Sequence, residues 1–350
     1  MPLARFSRGT SISVNLDRST RTNLTDLVLS GGGGVNPADI WKYQVTVAAG
    51  NTHTPVVTLY AGATSPLWDW GDGSPLQAGL SMSHTYVVAG TYVVTVKVAN
   101  INWFMQTIDI STDYVSGNFL RTLAPMYRLT SILAASNILI NDNIATIVWP
   151  TGLTVLGLDG SGITGVITSI AWPTSLTYLT LGTTAVTGVI TAIVWPTGLT
   201  TLALNNTALT GVISAIVWPT GLTILNLYST GLTGTWAGQT LGAALQTFRI
   251  SSTVFTGAPV FTSAVALSNF QYQDCALDAA TVDLILQRMW TRRMAFTAVA
   301  PTANLGGTNT KPNGIFQEMN PPTTGMEYKW ALGVDDLAEG YVLWAITTTV

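Results

Sequence analysis

Charged side chains are scarce in this chain. Lys, Arg, Asp and Glu together make up only 9% of its 350 residues, against about a quarter in average domains. Between Arg128 and Arg249, Asp142 and Asp159 are the only charged residues. Because nucleic-acid binding needs clustered Lys and Arg to neutralise phosphates, we predict no nucleic-acid partner. A surface with so few charges favours packing against copies of this chain or against other proteins. The alternative is that hydroxyl groups alone keep the protein soluble.

Side chains that commonly bind metals or perform catalysis are also scarce, with one cysteine and two histidines in the whole sequence. A single cysteine excludes internal disulfides, and the apolar pattern around Cys275 predicts a small buried residue. No cluster has the spacing of a zinc site, and no glycine-rich loop has the partners needed to bind phosphate. The acids on the repeats are too few for glycoside hydrolysis. We therefore expect no enzymatic activity and no cofactor.

Long apolar runs are missing as well, although 47% of the residues are hydrophobic. No eighteen consecutive apolar residues occur, so we predict no insertion into a membrane. Residues 1–36 lack the apolar block of a secretory signal and contain four consecutive glycines, Gly31 to Gly34, near their end. We interpret them as an attachment arm, held by the chain's own domain or by a neighbouring subunit. The arginines of this arm are Arg5, Arg8, Arg18 and Arg21.

The most regular feature that is present is a Trp-Pro pair, which recurs four times at intervals of 23 residues. Each interval contains the pattern Leu-x-x-Leu-x-Leu-x-x-(Ser/Thr)-x-(Leu/Ile/Val)-Thr-Gly-x-(Ile/Trp), shown best by residues 199–213. A fixed period of this length is typical of stacked units, because one coil cannot bury its apolar face alone. The pairs begin at Trp149, Trp172, Trp195 and Trp218.

These repeats resemble the leucine-rich-repeat family, whose units of 20–29 residues form a curved stack of strands. In that family the ninth position is usually an Asn that bonds the backbone of the next coil. Here it is a hydroxyl residue, from which we expect a weaker ladder of the same kind. With degenerate copies on both sides, roughly six or seven coils are predicted between about residue 100 and residue 278. The ninth-position residues are Ser161, Thr184, Thr207 and Thr230.

A different pattern of short alternating strands extends from Trp41 to about Ile110. It contains Trp68-Asp-Trp-Gly-Asp-Gly-Ser74 and, after a gap, Ser83-His-Thr-Tyr86. These motifs resemble the PKD domain, which implies a seven-stranded Ig-like β-sandwich of the kind found in cell-surface and phage proteins. The predicted fold is therefore mainly β. We place the sandwich at residues 37–112, where it caps the first coil, and the solenoid at 113–278.

The sandwich motifs contain two carboxylates and a histidine, which are residue types used in acid-base catalysis and metal binding. Asp69 and Asp72 are candidate calcium ligands, but a hard cation prefers six or more oxygens. Aspartates beside glycines commonly accept hydrogen bonds from turn amides. We expect these two residues to fix a tight turn, with calcium binding as the alternative, and His84 to belong to a strand.

Residues 279–350 are predicted to form a small α/β cap over the last coil. Residues 279–290 have apolar side chains at helical spacing, and Arg288, Arg292 and Arg293 follow at the end where cations suit the helix dipole. Residues 303–309 and 341–347 have strand patterns. We interpret Asp335 and Asp336 as part of a solvated loop and not as a catalytic pair.

These observations favour a non-enzymatic structural or adhesion protein. The first hypothesis is a phage virion component, meaning a capsid decoration, fibre or tail-associated protein on the virion surface. Modules of extracellular type without an export signal motivate it, and the arm would bind other virion proteins or further copies. The alternative is a bacterial cell-surface or secreted adhesin that binds glycan or protein, and an enzyme is the third class. Candidate ligand residues on the concave solenoid face are Tyr178, Thr180, Thr201, Asn226 and Tyr228.

Overall fold

The computed structural model of the protein describes residues 40–61, 65–98, 105–111, 114–123, 126–240, 242–261, 266–291, 301–313, 324, 328–329, 332 and 345–348. The predicted arm with its four arginines lies outside the described residues. So do Arg292, Arg293, Asp335, Asp336 and the first part of the predicted strand at 341–347.

The first part of the chain forms a β-sandwich. Its strands are β1 (Ile40–Val47), β2 (Thr52–His53), β3 (Val56–Leu59), β4 (Leu67–Asp69), β5 (Gln77–Ala78), β6 (His84–Thr85), β7 (Gly90–Lys97), β8 (Met105–Asp109) and β9 (Val115–Ser116). One antiparallel sheet has the order β5-β4-β7-β1-β9, while β2 pairs with β6 and β3 with β8. Nine strands are described where the resemblance implied seven, because four of them are two-residue pairings.

The sandwich core follows from alternation along β1, whose every second residue is buried. Such a period of two is what a strand with one wet face requires. Trp41 and Tyr43 point inward from β1, and the Tyr43 ring contacts His53, which in turn contacts Trp70. Trp68 stacks on Trp70, and both are completely buried. Large aromatic rings thus form a central part of this apolar core.

The rest of the chain coils as the 23-residue period predicts. Its strands are β10 (Ser131–Leu133), β11 (Val155–Gly157), β12 (Thr164–Val166), β13 (Tyr178–Thr180), β14 (Ala185–Val189), β15 (Thr201–Ala203), β16 (Ala208–Val212), β17 (Ile224–Asn226), β18 (Gly231–Thr235), β19 (Thr247–Arg249), β20 (Val254–Thr256), β21 (Asn269–Gln271), β22 (Thr302–Leu305) and β23 (Ala345–Thr348). Short 3-10 helices lie at Leu120–Leu123, Ile144–Thr146, Ile190–Ala192 and Ile213–Ala215.

Two sheets run along the stack, and the strands of the coils pair parallel in both. One contains five strands in the order β12-β14-β16-β18-β20. The other contains eleven, in the order β3-β8-β10-β11-β13-β15-β17-β19-β21-β22-β23. In the three-residue strands of this long sheet the middle residue points into the core, so that Leu179, Leu202 and Leu225 lie in register on neighbouring coils. The coils therefore close by covering each other's leucines, as predicted.

The predicted hydroxyl ladder exists, but it is built by other residues. The ninth-position hydroxyls do not reach the next coil, because each donates to the carbonyl three residues earlier in its own coil, at 2.6–2.9 Å. The contacts between coils come instead from a threonine just before each strand. It donates to a backbone carbonyl of the preceding coil at 2.9–3.1 Å. These ladder threonines are Thr154, Thr177, Thr200 and Thr223.

The sandwich and the solenoid share one sheet. Strand β8 pairs antiparallel with β3 of the sandwich and parallel with β10 of the first coil. Ile108, in the middle of β8, lies opposite Val57 on one side and Ile132 on the other. Strand β8 therefore also begins the parallel run of solenoid strands. β8 lies within the range 37–112 that we assigned to the sandwich, and it pairs with a strand of each part.

The end of the stack carries the predicted helix, α1 (Ala279–Thr291). Its buried face consists of Val282, Ile285, Leu286 and Met289. Arg288 donates to the carbonyls of Ala258 and Pro259, which ties the helix to the loops of the last coils. Beyond the helix, β22 and β23 extend the long sheet by two more parallel strands.

A buried carboxylate lies near the junction of the two parts. Asp142 has no exposed surface. Its Oδ2 accepts the amide hydrogen of Leu120 at 2.8 Å, and Arg121 Nε is 3.9 Å from Oδ1. Burial raises the pKa of Asp142, although the Leu120 amide and the charge of Arg121 act in the opposite direction. The folded protein therefore holds the proton of Asp142 more strongly than the unfolded chain.

This raised pKa predicts how stability changes with pH. Below the pKa of the unfolded state, the contribution of Asp142 to the free energy of unfolding is fully present. It is lost as the pH rises through the pKa of the folded state. The loss is about 1.4 kcal/mol for each unit by which the pKa is raised. In Asp142→Asn an amide oxygen still accepts from Leu120, so this part of the pH dependence should vanish. Urea midpoints between pH 3.5 and 7 measure it, and parallel pH curves for wild type and variant would contradict the prediction.

Candidate ligand-binding face of the solenoid

The side chains that point away from the core on the long sheet form two rows. We call these two rows, with Tyr228 beside them, the outer sheet face. Register places the members of each row side by side on successive strands. The first row is Val155, Tyr178, Thr201, Ile224, Thr247 and Asn269, and the second is Gly157, Thr180, Ala203, Asn226, Arg249 and Gln271.

The predicted ligand residues all lie on this face, but they are not equally accessible. Tyr178, Asn226 and Tyr228 are partly exposed. Thr180 and Thr201 are only 4% and 9% exposed, which corrects our expectation that both offer hydroxyls to a ligand. Strands in a sheet are only about 4.8 Å apart, so short side chains are shielded by their neighbours. The surface that remains for a ligand is formed by the longer side chains.

A polar cluster occupies the second half of the outer sheet face. Arg249 donates from Nε to Oε1 of Gln271 at 3.0 Å. Its guanidinium carbon lies 5.2 Å from the centre of the Tyr228 ring. The Tyr228 hydroxyl accepts from Asn206 Nδ2 at 3.2 Å. Four residues from four successive coils thus hold one another, and they place a cation on an otherwise uncharged part of the face.

Sequence reasoning found Tyr228 but missed Arg249 and Gln271 as site residues. A signal was available, because Arg249 is the one cation at a strand position of the repeats between residues 129 and 271. What could not be read was its contact with Gln271, which lies 22 residues further on. The apolar pattern places the two residues at the same position of successive coils, one of them a residue short, but it does not show that their side chains bond each other.

No acid neutralises this arginine within the described part of the chain. Asp274, in the turn after the neighbouring strand β21, accepts the amide hydrogen of Thr308 at Oδ1 instead, at 3.1 Å. The positive potential at Arg249 is therefore available to an anion from solution.

The sandwich motif uses its carboxylates to fix a turn. Asp69 Oδ1 accepts the amide of Gly71 at 3.1 Å, and Asp72 Oδ1 accepts that of Ser74 at 3.0 Å. His84 Nε2 lies 2.8 Å from Asp72 Oδ2, and its ring stacks on Trp70. Burial would raise the pKa of Asp72, but hydrogen bonds from Ser74 and His84 outweigh it and lower the pKa.

Calcium binding at this turn has little geometric support. The oxygens of Asp69 and Asp72 already serve backbone amides and His84. Among the residues that the structure describes, no three His, Cys, Asp or Glu side chains group together in a way that could hold a metal ion. The turn interpretation therefore accounts for the contacts of both aspartates.

Two further sequence expectations concern burial and the membrane. Cys275 is buried, as predicted, and its Sγ lies 3.3 Å from the carbonyl oxygen of Ile250. Burial raises the pKa of this thiol, so the reactive thiolate is disfavoured. Within the described ranges, no helix has the length and apolar character needed to span a membrane.

Comparison with known proteins bears on both parts of the chain. The family model of the PKD domain matches residues 42–102. No curated protein matches the sequence. Solved structures that resemble the fold include a TDR receptor, with 20% identity and a TM-score of 0.40 over 57% of this chain and 39% of that chain.

Two other solved structures also have low sequence identity and cover only part of the chain. The Arabidopsis receptor kinase HAESA, solved with the peptide hormone IDA and the co-receptor SERK1, has 18% identity and a TM-score of 0.36, covering 54% of this chain and 35% of its own. A plant ice-binding protein has 18% identity and a TM-score of 0.32, covering 45% and 59%. This chain thus matches less than two fifths of each receptor chain, and the likeness concerns the type of fold alone. The protein contains a PKD domain at residues 42–102, followed by a β-solenoid with leucine-rich-type repeats.

Proposed function

We propose that this protein is a non-enzymatic binding and adhesion protein, in which the sandwich supports the solenoid and the outer sheet face meets the partner. The observation that carries this proposal is the eleven-stranded sheet that joins the two parts. A continuous hydrogen-bonded sheet gives a rigid surface, which preorganises contact residues and lowers the entropic cost of binding. The scarcity of titratable groups on that face supports a binding role over a catalytic one.

The more specific proposal is a phage virion component, namely a capsid decoration, fibre or tail-associated protein. Residues 1–36 would attach it to other virion proteins or to further copies. Two features support this: the PKD-like motifs resemble modules of phage and cell-surface proteins, and the repeat surface is nearly free of charge. A surface of this kind suits lasting contact with neighbouring subunits.

Mass spectrometry of purified phage particles tests this proposal. We expect tryptic peptides of the chain, for example residues 98–121 between Lys97 and Arg121, in particles that remain intact through a density gradient. An antibody against the solenoid should also label those particles in electron micrographs. Absence of the chain from intact particles, with detection on the bacterial envelope, would instead favour the cell-surface adhesin.

A further inference from the structure

We infer that the outer sheet face contains a subsite, centred on Arg249, for the carboxylate of an acidic sugar. This inference rests on the proposed binding role of the face and names the chemistry of its ligand. Three independent features lead to it: a cation held in a fixed orientation, the lack of a neutralising acid, and neutral amide groups on both sides of the cation.

The orientation of Arg249 is fixed from two directions. Gln271 accepts from Nε, and the ring of Tyr228 lies beside the guanidinium plane. Within the described residues, no hydrogen bond uses the two terminal nitrogens, Nη1 and Nη2. These nitrogens form the fork that binds a carboxylate with two parallel hydrogen bonds. Because the side chain is already held, less rotamer entropy is lost when the ligand binds.

The neighbours of Arg249 favour a hydroxyl-rich ligand. Asn226 precedes it and Gln271 follows it in the same row, and register adds Asn304 on the next strand. Among the described residues, Asn226 Oδ1 has no hydrogen-bond partner, although this atom is buried. Such an acceptor costs about 1–3 kcal/mol. Rotation of the terminal amide towards a sugar hydroxyl would recover part of this energy.

The charge pattern also selects among anions. A polyanion such as nucleic acid is bound through several cations, whereas this part of the face has one. A single cation beside amides and a tyrosine ring matches a ligand with one carboxylate per unit and several hydroxyls. A uronic or sialic acid residue within a glycan has this composition.

Binding of matched glycan pairs to the full chain tests the inference. The pairs are sialyllactose with lactose, and polygalacturonate with its methyl ester, measured by isothermal titration at physiological salt. We expect the acidic member of at least one pair to bind tenfold more tightly than its neutral partner. Arg249→Gln should remove at least tenfold of that affinity, and Arg249→Lys should restore only part of it, because lysine lacks the fork.

The matched control is Lys42→Gln, which removes the same charge from an exposed position on β1. We expect it to leave glycan affinity unchanged. Equal losses in the two variants, equal binding of acidic and neutral glycans, or no binding of either acidic probe would overturn the inference. So would preference for a peptide with a free carboxyl terminus over both acidic glycans. Thermal melting of each variant separates lost binding from lost folding. Mass spectrometry of the phage particles tests the virion role, and its result does not depend on these binding measurements.

Discussion

Replacement of Ile108 by alanine is expected to destabilise the sandwich and the solenoid together, by about 2–5 kcal/mol. The side chain is completely buried in β8, between Val57 of the sandwich and Ile132 of the first coil. Its removal leaves a cavity that touches both parts, so neither can relax alone. If the shared sheet couples the two parts, they should unfold together in one urea transition, and in the variant this transition should lie at a lower urea concentration.

Hydrogen exchange measured on peptides from β1 and β13 reports the two parts separately. Both peptides should exchange faster in Ile108→Ala. The control is the same substitution at Ile138, which is 73% exposed and should change stability by less than about 0.5 kcal/mol. Faster exchange in β1 with unchanged exchange in β13 would show that the sheet does not couple the parts.

The second large effect is expected for Gly71→Ala in the turn of the sandwich motif. Gly71 has φ +79°, and a Cβ atom there would lie 2.5 Å from the carbonyl oxygen of Val93. The variant combines a left-handed backbone with a clash against backbone that cannot rotate away. We expect a loss of about 3 kcal/mol or more, from about 1–2 kcal/mol for the left-handed conformation and the remainder for the clash.

Gly50→Ala separates the two contributions. Gly50 has φ +83°, and nothing lies within 4 Å of the added Cβ. This variant should therefore lose only the conformational part, about 1–2 kcal/mol. Urea denaturation of both variants gives the difference, which measures the close approach of β7 to the turn. Equal losses would mean that the turn moves away from Val93 at little cost.

The repeat illustrates what can be read without a structure. Leucines at a fixed interval can be buried only if each coil lies against the next, so the period alone predicted the stack and its core. The same reasoning failed for the hydroxyl ladder. Ser161 and its equivalents have the right chemistry, but a short side chain bonds the nearest carbonyl that its backbone presents, and that carbonyl lies in its own coil.

The outer sheet face was likewise predicted only in part. The pattern of residues 176–226 predicted which side chains leave the core, because alternation in a strand is strict. It could not predict that Thr180 and Thr201 are shielded, since shielding depends on residues one coil away. Nor could it predict that Tyr228, Arg249 and Gln271 meet across three coils, one of which is a residue short.

The sequence by itself determined the class of each part, because apolar periodicity and turn residues act locally and repeat. It also determined that the repeats carry few ionisable groups, which is one argument for the proposed binding role. Only the tertiary structure decided that β8 belongs to both parts and that the guanidinium of Arg249 keeps its fork free. The physical reason is that pairing partners and side-chain contacts depend on the register between distant segments, which is set when the coils stack.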